Sequence, residues 1–526
     1  MKKAFVLLFS LLASIPFVFA TENPAFIIPQ PNRVELAEGF FRLGDTLSVC
    51  SGSSTFDSLI PVFGGSALRY ANITVVSTKK AAVNLILNTE IGDTESYRLI
   101  VCSGSVTVEA SSAQGCFYGL QSLLQLMAFS GETRSIQNQT IKDAPRYAWR
   151  GLMLDESRHF FGMDKVKMLL DQMALLKLNR FHWHLSDAEG WRIEIKKYPR
   201  LTEVGAIGNY SDPLAPAQFY TQEQIKEIVA YASERFIQII PEIDMPGHAS
   251  AAVRAYPEIS GGGSEKYPDF TFNPVKKETF AFLTDVLTEV SALFPSPYIH
   301  IGGDEVSYGN QQWVKLKEVK KLMRKNNYTD LLEVEYHFLQ QIADSVQHMG
   351  KTLIGWDEIA SAGIDPENRM IMWWRHDKPE VLELALNKQF KTVLCPRIPL
   401  YFDFVQDEKH EHGRKWAGRY ADLASVYRFP SDEFVPATAI GNPLVMGIQA
   451  NVWTETIQNQ QRLEFMIFPR LAALAEAGWT AASMKNVDDF LRRQTNLKTL
   501  YRKQNITYFD PEKNGGKEIT GYKKKQ

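Results

Sequence analysis

Short apolar runs dominate the first part of the chain, over residues 21–145. The segments 83–87, 97–101 and 106–110 have the length and apolar content of β-strands, and the middle one partly alternates between apolar and polar positions. In the segment 115–127 the large apolar residues recur at helical spacing. The pattern predicts a compact α+β domain. Because this region does not concentrate the residue types that catalyse reactions, we expect it to support the rest of the chain.

From Trp149 the pattern changes to a strand followed by a helix, repeated along the chain. We expect Asp164 to cap the first of these helices, and Thr221 with Gln224 to form a capping box at the start of a later one. The predicted strands lie at residues 151–155, 179–185, 236–243, 298–301, 352–356, 370–374, 392–394 and 446–452. Eight strands with helical segments between most of them predict an α/β fold class, a (β/α)8 TIM barrel over residues 146–502.

The two ends of the chain have their own patterns. Residues 1–20 contain two lysines, an apolar run and a small residue at the end, which is typical of a secretory signal peptide. We therefore expect an exported protein, periplasmic or secreted. No other run approaches the length of a membrane-spanning helix, so we expect no membrane span in the mature protein. Residues 503–526 are polar and predict a solvated tail.

The composition narrows the classes of function. With 45% hydrophobic residues in 526, the chain is expected to fold as a globular protein. Its 58 basic and 60 acidic residues give a net charge of -2, so it has no field to attract nucleic acid. Four cysteines are too few for a disulfide scaffold. One pair among Cys50, Cys102 and Cys116 remains open, and Cys395 is expected to be a small buried hydrophobe.

Ionisable and aromatic residues recur near the predicted strands, and TIM barrels form their sites at the carboxyl ends of the strands. The fourth strand runs into Gly302, Gly303, Asp304 and Glu305, and we expect the glycines to leave room there for a ligand. Residues of these types near the other strands are Arg150, Arg158, Asp187, Asp244, His248, Trp356, Trp374, Tyr401, Asp403, Trp453 and Glu455. Carboxylates move protons and bind hydroxyls, while indole rings stack on sugar faces. The set therefore predicts a glycosidase.

The adjacency of Asp304 and Glu305 narrows the mechanism. Most glycosidases place two carboxyls on opposite sides of the bond, about 5–5.5 Å apart in retaining enzymes and about 6.5–9.5 Å apart in inverting ones. Adjacent residues have Cα atoms about 3.8 Å apart, so this pair cannot easily flank a sugar. One carboxyl can protonate the leaving oxygen, and the other is free to assist a group of the substrate. This arrangement favours substrate-assisted hydrolysis, in which a 2-acetamido oxygen attacks the anomeric carbon.

Several long motifs then resemble the β-N-acetylhexosaminidases of glycoside hydrolase family 20. They lie, in the family's order, at residues 149–160, 182–192, 241–248, 300–305 and 453–455. The early domain resembles the α+β domain that precedes the barrel in this family. The resemblance implies removal of terminal non-reducing N-acetyl-β-D-hexosamine from oligosaccharides or glycoconjugates by a retaining mechanism through an oxazolinium, without a cofactor or metal.

The resemblance also implies a role for each matching residue. Glu305 would be the general acid and base, Asp304 would stabilise the oxazolinium, and Tyr401 would orient the acetamido carbonyl. Three tryptophans would wall the acetyl pocket and the sugar ring: Trp356, Trp374 and Trp453. Three residues would bind sugar hydroxyls: Arg150, Asp403 and Glu455. Three others would position or tune Glu305: Asp187, Asp244 and His248.

Two other functions remain open from the residues. A metal-dependent hydrolase on the same barrel would use the histidines of the strands, which are His182, His184, His248 and His300. Those histidines can instead fill the barrel or support the carboxylates. A glycan-binding protein that has lost catalysis is the second alternative, although Asp304, Glu305 and Tyr401 are all present. The natural glycan, the preference between gluco and galacto epimers and the oligomeric state are also open.

Overall fold

The computed structural model of the protein describes residues 26–410 and 413–511. The predicted signal peptide lies outside these residues, as does the predicted tail beyond residue 511. No helix in the described part of the chain combines the length and the apolar character needed to cross a bilayer. Cys50, Cys102, Cys116 and Cys395 are all unpaired, so the early pair that the sequence left open does not form. Cys395 is buried, as predicted.

The first domain is a seven-stranded sheet with two helices. Its strands are β1 (Arg33–Arg42), β2 (Thr46–Ser51), β3 (Thr74–Ser77), β4 (Val83–Leu87), β5 (Tyr97–Cys102), β6 (Ser105–Ala110) and β7 (Ser135–Asp143). Its helices are α1 (Leu59–Ala71) and α2 (Ala113–Ala128). The strand order is β1-β7-β5-β6-β4-β2-β3, antiparallel from β1 to β6 and parallel from β6 to β3. The predicted α+β character of this region is confirmed.

Helix α2 connects this sheet to the second domain. Almost every residue from Gly115 to Met127 is buried, including the polar side chains of Gln121 and Gln125. The Gln125 amide donates to the backbone carbonyl of Leu175 in the second domain at 2.9 Å. A helix that is covered on all sides carries its packing into both neighbours. The first domain is therefore bound firmly to the side of the second.

The described residues of the second domain form ten strands, and eight of them close into a parallel barrel. They are β8 (Trp149–Asp155), β9 (Arg180–His184), β10 (Gln238–Glu242), β11 (Ser260–Gly262), β12 (Thr271–Phe272), β13 (Tyr298–His300), β14 (Thr352–Trp356), β15 (Arg369–Trp373), β16 (Lys391–Leu394) and β17 (Val445–Val452). The closed order is β10-β13-β14-β15-β16-β17-β8-β9, and β11 and β12 form a separate small hairpin. All eight predicted strands and the predicted fold class are confirmed.

Helices surround the barrel. They are α3 (Met163–Leu175), α4 (Arg200–Glu203), α5 (Gln222–Ser233), α6 (Ser250–Ala255), α7 (Lys277–Leu293), α8 (Lys317–Asn326), α9 (Leu331–His348), α10 (Pro379–Asn387), α11 (Arg397–Leu400), α12 (Leu423–Arg428), α13 (Gln460–Ile467), α14 (Arg470–Trp479) and α15 (Val487–Lys503). The capping box of Thr221 and Gln224 is present at α5. The prediction for Asp164 is wrong: Gly162, at a φ of 83°, precedes the helix, and Asp164 lies in its first turn.

The chain after α15 folds back onto the barrel. Ile506, Phe509 and Asp510 are buried, and the amide of Phe509 donates to the carbonyl of Phe468 at 3.0 Å. The prediction that the tail is solvated from residue 503 is therefore wrong for Ile506, Phe509 and Asp510. The error has a physical cause: two isolated apolar side chains in a polar stretch are enough to bury it when a groove lies beside it.

Candidate active site

A cavity opens at the carboxyl ends of the barrel strands and collects ionisable residues from distant parts of the chain. Its lining residues are Arg158, Asp187, Asp244, His248, Asp304, Glu305, Trp374, Arg397, Tyr401, Phe404, Arg414, Trp453 and Glu455. The parallel barrel explains the convergence, because the residues that follow each strand all meet at one end. The cavity is the candidate active site.

Asp304 and Glu305 lie at its floor, directly after β13. Gly302 and Gly303 precede them with φ values of 68° and 89°, and Glu305 itself has a φ of 52°. A Cβ on Gly302 would lie 1.8 Å from Asp244 Oδ1, and one on Gly303 would lie 2.8 Å from Ile359 Cγ2. The glycines thus make room for Asp244 and for Ile359. That they also leave room for a ligand stays a prediction.

Asp304 is a buried carboxylate with an unused acceptor. Its residue is 8% exposed, and its Oδ1 has no hydrogen-bond donor among the described residues. Burial raises the pKa of Asp304 to about 7, and the charges of Glu305 and Glu242 act in the same direction. A buried acceptor without a donor is costly in a folded protein. Asp304 is therefore prepared to accept a hydrogen bond from a bound molecule.

Tyr401 faces the same space. Its ring stacks on Trp374 with the ring centroids 6.3 Å apart and the planes at 12°. Its hydroxyl accepts a hydrogen bond from Trp453, and burial raises its pKa well above the ordinary value. The hydroxyl thus keeps its proton and can donate it in a hydrogen bond.

A chain of alternating imidazoles and carboxylates runs from the acid pair into the barrel interior. His248 Nε2 lies 3.7 Å from Glu305 Oε2, and His248 Nδ1 lies 2.9 Å from Asp187 Oδ1. Asp187 Oδ2 lies 2.8 Å from His184 Nε2, and His184 Nδ1 lies 2.5 Å from Glu242 Oε2. We call His248, Asp187, His184 and Glu242 the relay. It joins the mouth of the barrel to its centre through fully buried side chains.

The relay holds separated charges. Burial lowers the pKa of His248, but the charges of Asp187 and Asp244 more than offset this and hold it well above its usual range. Burial raises the pKa of Asp187, but Arg158 and His248 more than offset this and hold it below the ordinary value. A cationic His248 beside Asp304 and Glu305 therefore provides a fixed positive charge at the floor of the cavity.

The deeper histidines also bond within the barrel. His182 Nε2 and His300 Nδ1 lie 3.0 Å and 2.8 Å from the two oxygens of Glu242, and the Gln449 amide donates to His182 Nδ1 at 3.0 Å. His182, Glu242 and His300 are also close enough together to hold a metal ion, as are His248, Asp304 and Glu305. These close contacts account for the positions of His182 and His300 as supports of Glu242. A chelator in the assay tests the metal alternative directly.

The three predicted tryptophans lie in two layers. Trp374 and Trp453 line the cavity, whereas Trp356 does not. The Trp356 ring is 1% exposed, packs against Trp453 with centroids 5.8 Å apart, and donates from Nε1 to Glu242 Oε1 at 3.0 Å. The structure therefore places Trp356 beneath the wall that Trp453 forms, and corrects its prediction as a lining residue.

The two acids predicted to bind hydroxyls also differ in depth. Glu455 lines the cavity and pairs with Arg414. Asp403 is fully buried behind it, 3.3 Å from Arg414 Nε. Burial raises the pKa of Asp403 to about 7, although Arg414 opposes the shift. Asp403 thus lies next to the lining residues Arg414 and Glu455 and is not itself part of the cavity surface.

Arg150 is not in the site. It lies near the amino end of β8, fully buried, and its two terminal nitrogens lie 3.1 Å and 2.9 Å from the oxygens of Glu95 in the first domain. The residue that lines the cavity is Arg158, beyond the carboxyl end of the same strand, with Nη2 2.7 Å from Asp187 Oδ2. The prediction of Arg150 as a substrate-binding residue is wrong. Its position at the amino end of the strand was the signal that could have excluded it.

Three other lining residues were not predicted: Arg397, Phe404 and Arg414. All three follow β16, in a stretch where no motif stands out. Arg397 lies over the Trp374 ring at 4.8 Å from its centroid and over the Trp416 ring at 3.9 Å. The rim of the cavity on this side is therefore cationic and aromatic, which the sequence pattern alone did not indicate.

Arg150→Gln is expected to lower the midpoint of thermal unfolding and to leave KM unchanged. The change leaves Glu95 without its guanidinium partner, and breaking such a pair costs about 3–5 kcal/mol. Thermal unfolding and steady-state kinetics well below the midpoint measure the two effects. Arg158→Gln is the matched control and is expected to raise KM. A raised KM for Arg150→Gln with an unchanged midpoint would contradict the new placement.

A larger cavity of about 560 Å³ lies at the opposite end of the barrel, between the two domains. Its ionisable lining residues are Glu95, which pairs with Arg150, and Arg180. It brings no two carboxylates together, so the chemistry belongs to the cavity that contains Asp304 and Glu305.

Comparison with known families agrees with this placement. Residues 147–482 match the family described as "Glycosyl hydrolase family 20, catalytic domain". Residues 25–144 match the family described as "Glycosyl hydrolase family 20, domain 2". The two matches meet in the linker between β7 and β8. They cover the sheet domain and the barrel that carries the cavity.

Individual relatives carry related names. A β-hexosaminidase of Porphyromonas gingivalis is 35% identical over 93% of this chain, which spans 65% of that protein. A β-hexosaminidase of Vibrio furnissii is 36% identical over 86% of this chain and 76% of the relative. Among solved structures, the exo β-N-acetylglucosaminidase of Vibrio harveyi in complex with N-acetylglucosamine has a TM-score of 0.85 and 33% identity, over 95% of this chain and 80% of that one.

Proposed function

The chain belongs to glycosyl hydrolase family 20, and we propose that it is an exo-acting β-N-acetylhexosaminidase. The family predicted from the motifs is confirmed. The proposed substrates are oligosaccharides or glycoconjugates with a terminal, non-reducing N-acetyl-β-D-glucosamine or N-acetyl-β-D-galactosamine. Support for this substrate class comes from the relatives, which are named as β-hexosaminidases, and from the bound N-acetylglucosamine in the Vibrio harveyi structure.

One observation carries the proposed mechanism. Asp304 presents a buried oxygen that has no donor within the described chain, immediately beside Glu305 and near the Tyr401 hydroxyl. A 2-acetamido group has an N–H that satisfies Asp304 and a carbonyl oxygen that accepts from Tyr401. Held at both ends, the group is oriented with its carbonyl oxygen toward the anomeric carbon. The substrate then supplies the nucleophile that an adjacent carboxylate pair cannot supply from the opposite face.

In the first step the acetamido oxygen forms a bond to the anomeric carbon while the glycosidic bond breaks. Glu305 gives its proton to the departing oxygen, so the aglycone leaves as an alcohol. The oxazolinium that remains carries a positive charge next to Asp304, whose carboxylate stabilises it.

In the second step Glu305, now a carboxylate, takes a proton from water, and that water attacks the anomeric carbon. The bond to the acetamido oxygen breaks and the amide is restored. Two displacements at the same carbon return the β configuration, so the proposed reaction is retaining. Glu305 ends the cycle protonated.

The wall of the cavity supports an exo mode of attack. Arg158, Arg414 and Glu455 line it with groups that bind hydroxyls, and Trp374, Tyr401 and Trp453 supply aromatic faces. Hydroxyls of a terminal sugar can all be bound by such a lining, whereas an internal sugar would need an exit for the chain at its far side. The relay beneath fixes the floor and gives Glu305 a cationic neighbour in His248.

Hydrolysis is expected to require the 2-acetamido group. With the same aryl leaving group, kcat/KM for the N-acetyl-β-glucosaminide should exceed that for the plain β-glucoside by about 1,000-fold or more, because an internal nucleophile replaces an external one. The assay is run with and without a chelator. A thiazoline that mimics the oxazoline ring is expected to inhibit competitively.

Three outcomes would change the proposal. Efficient cleavage of the plain β-glucoside would exclude substrate assistance. Loss of activity in chelator would favour the metal-dependent hydrolase. Binding of N-acetylglucosamine without release of the aryl group would show a glycan-binding protein that no longer catalyses hydrolysis.

A further inference from the structure

Trp374, which forms one wall of the cavity, is held by two adjacent acids that the proposed mechanism does not use. Its indole Nε1 donates to Glu358 Oε2 at 3.0 Å, and its backbone amide donates to Asp357 Oδ2 at 3.2 Å. Asp357 and Glu358 follow β14 directly, in a short 3-10 helix. One turn of backbone thus fixes both the main chain and the ring edge of a residue on the neighbouring strand.

The next residue along the chain completes the arrangement. The amide of Arg375 donates to Asp357 Oδ2 at 3.1 Å, and Arg375 Nε donates to Asp357 Oδ1 at 2.5 Å. Arg375 Nη1 lies 3.5 Å from Glu358 Oε1. Asp357 is fully buried and Glu358 mostly so. Both carboxyls face one guanidinium, which can neutralise one negative charge and not two.

The contacts with Arg375 indicate that Glu358 is the neutral member of the pair, because Asp357 accepts from Arg375 Nε at 2.5 Å whereas Arg375 Nη1 lies 3.5 Å from Glu358. Burial, the charge of Asp357 and the charge of Asp304 raise the pKa of Glu358 well above its ordinary value, although Arg375 opposes the shift. Asp357 accepts a hydrogen bond from the Glu358 side chain. A protonated Glu358 donates this bond through its hydroxyl and accepts the indole N–H through its other oxygen.

We propose that Asp357 and Glu358 are positioning residues, which hold the Trp374 ring upright against Tyr401 as a wall for the bound sugar, with Glu358 acting as a neutral hydrogen-bond bridge. The inference rests on the proposed function only for the identity of the ligand. Without the bridge, the indole edge loses its hydrogen bond to Glu358, and the ring keeps its stacking on Tyr401 and its contacts with Arg397 and Arg375. A ring that tilts no longer matches the flat face of the ligand.

The alternative is that the two acids exist only to neutralise Arg375. In that case Glu358 would act through its charge, and Glu358→Gln would weaken binding of the thiazoline as much as Glu358→Leu does. A neutral bridge makes the opposite prediction, because a glutamine side chain reproduces both hydrogen bonds. Its oxygen accepts from Trp374 and its amide donates to Asp357.

Glu358→Leu is expected to raise the inhibition constant of the thiazoline about 10-fold, the value of one well-placed aromatic contact. Glu358→Gln is expected to stay within about 2-fold of the parent protein, because it keeps both hydrogen bonds. Glu383→Leu, the same change at an exposed position of α10, is the control and should have no effect. Equal losses in Glu358→Gln and Glu358→Leu would overturn the proposal.

A second measurement separates this proposal from the proposed function. In protein labelled with ¹⁵N-tryptophan, the indole N–H signal that disappears in Trp374→Phe belongs to Trp374. This N–H should exchange slowly with solvent in the parent protein and in Glu358→Gln, and rapidly in Glu358→Leu. The readout needs no substrate, so it remains valid if the chain fails to cleave any hexosaminide. Unchanged protection in a folded Glu358→Leu would contradict the bridge.

A double-mutant cycle covers the case in which Glu358→Leu affects folding in general. In Trp374→Phe, Glu358 has no indole N–H from which to accept a hydrogen bond. Adding Glu358→Leu to this variant is therefore expected to weaken thiazoline binding little further. An equal loss on both backgrounds would show that Glu358 acts on the whole fold and not through Trp374.

Discussion

Glu305→Gln is expected to abolish hydrolysis of substrates with poor leaving groups and to spare activated ones. The variant cannot give a proton to the departing oxygen, a contribution worth about 100- to 10,000-fold when the oxygen needs it. A natural disaccharide has such an oxygen, whereas a dinitrophenol leaves as a stable anion. We expect kcat/KM to fall about 1,000-fold for the disaccharide and about 10-fold or less for the dinitrophenyl hexosaminide.

Glu455→Gln is the matched control for this experiment. It makes the same change from acid to amide in the same cavity, but Glu455 pairs with Arg414 and is assigned to the sugar hydroxyls, not to the departing oxygen. In this variant, kcat/KM should therefore fall by the same factor for both substrates, through a higher KM. If Glu305→Gln also reduced kcat/KM equally for both substrates, Glu305 would not be the proton donor. Another acid of the cavity would then have to take that role.

Asp304→Asn is expected to reduce kcat for all hexosaminides, whatever the leaving group. The asparagine can still accept the acetamido N–H through its amide oxygen, but it carries no negative charge to offset the positive charge of the oxazolinium. The loss of one such electrostatic contact is worth about 100- to 1,000-fold in kcat. Steady-state kinetics with the disaccharide and with the dinitrophenyl substrate measure it. A loss confined to the disaccharide would instead make Asp304 the proton donor.

The same substitution is expected to stabilise the folded protein at neutral pH. The pKa of Asp304 is raised from 3.8 to about 7, so the unfolded chain gives up this proton more readily than the folded one. The contribution to stability is therefore present below about pH 4 and is lost as the pH rises toward 7. Asparagine carries no such penalty. We expect Asp304→Asn to unfold at a higher temperature than the parent protein at pH 7.5, with the difference shrinking toward pH 4.5. A lower midpoint at pH 7.5 would show that ionised Asp304 stabilises the fold.

Ionised Asp304 thus lowers the free energy of unfolding of the protein while serving its proposed activity. A carboxylate buried beside other acids destabilises the free protein, and the same burial strengthens its interaction with a cationic intermediate. His248 reduces this destabilisation, because its raised pKa keeps a positive charge near Asp304 and Glu305. Removing either charge should change both stability and rate.

The barrel could be predicted from the sequence because its strands are buried on both faces. Such strands are short apolar runs, and the helices between them have an apolar stripe, so both signals repeat along the chain. All eight strands follow from this pattern. The positions of Asp187, Asp244, Asp304 and Glu455 follow from it too, since each lies within four residues of the end of a recognisable strand.

The depth of each side chain could not be predicted in the same way. Trp356 and Trp374 both lie at the carboxyl ends of neighbouring strands, yet one lies beneath the cavity and the other on its wall. Asp403 and Glu455 differ similarly. Whether a side chain reaches the surface depends on what packs above it, and that is set by residues from other strands. Arg150 shows a related error in position along a strand. Arg150 and Arg158 are eight residues apart in sequence, yet they lie at opposite ends of β8 and therefore of the barrel.

The chain's own pattern was enough for the order of strands, the family and the acid pair, because each is encoded within a few consecutive residues. The relay and the support of Trp374 by Glu358 needed the pairing of neighbouring strands, β9 with β10 and β14 with β15. A hydrogen bond of about 3 Å between side chains of two such strands exists only when the register of the pair is set. Local sequence specifies which residues lie at the end of a strand. Tertiary packing decides which of them touch.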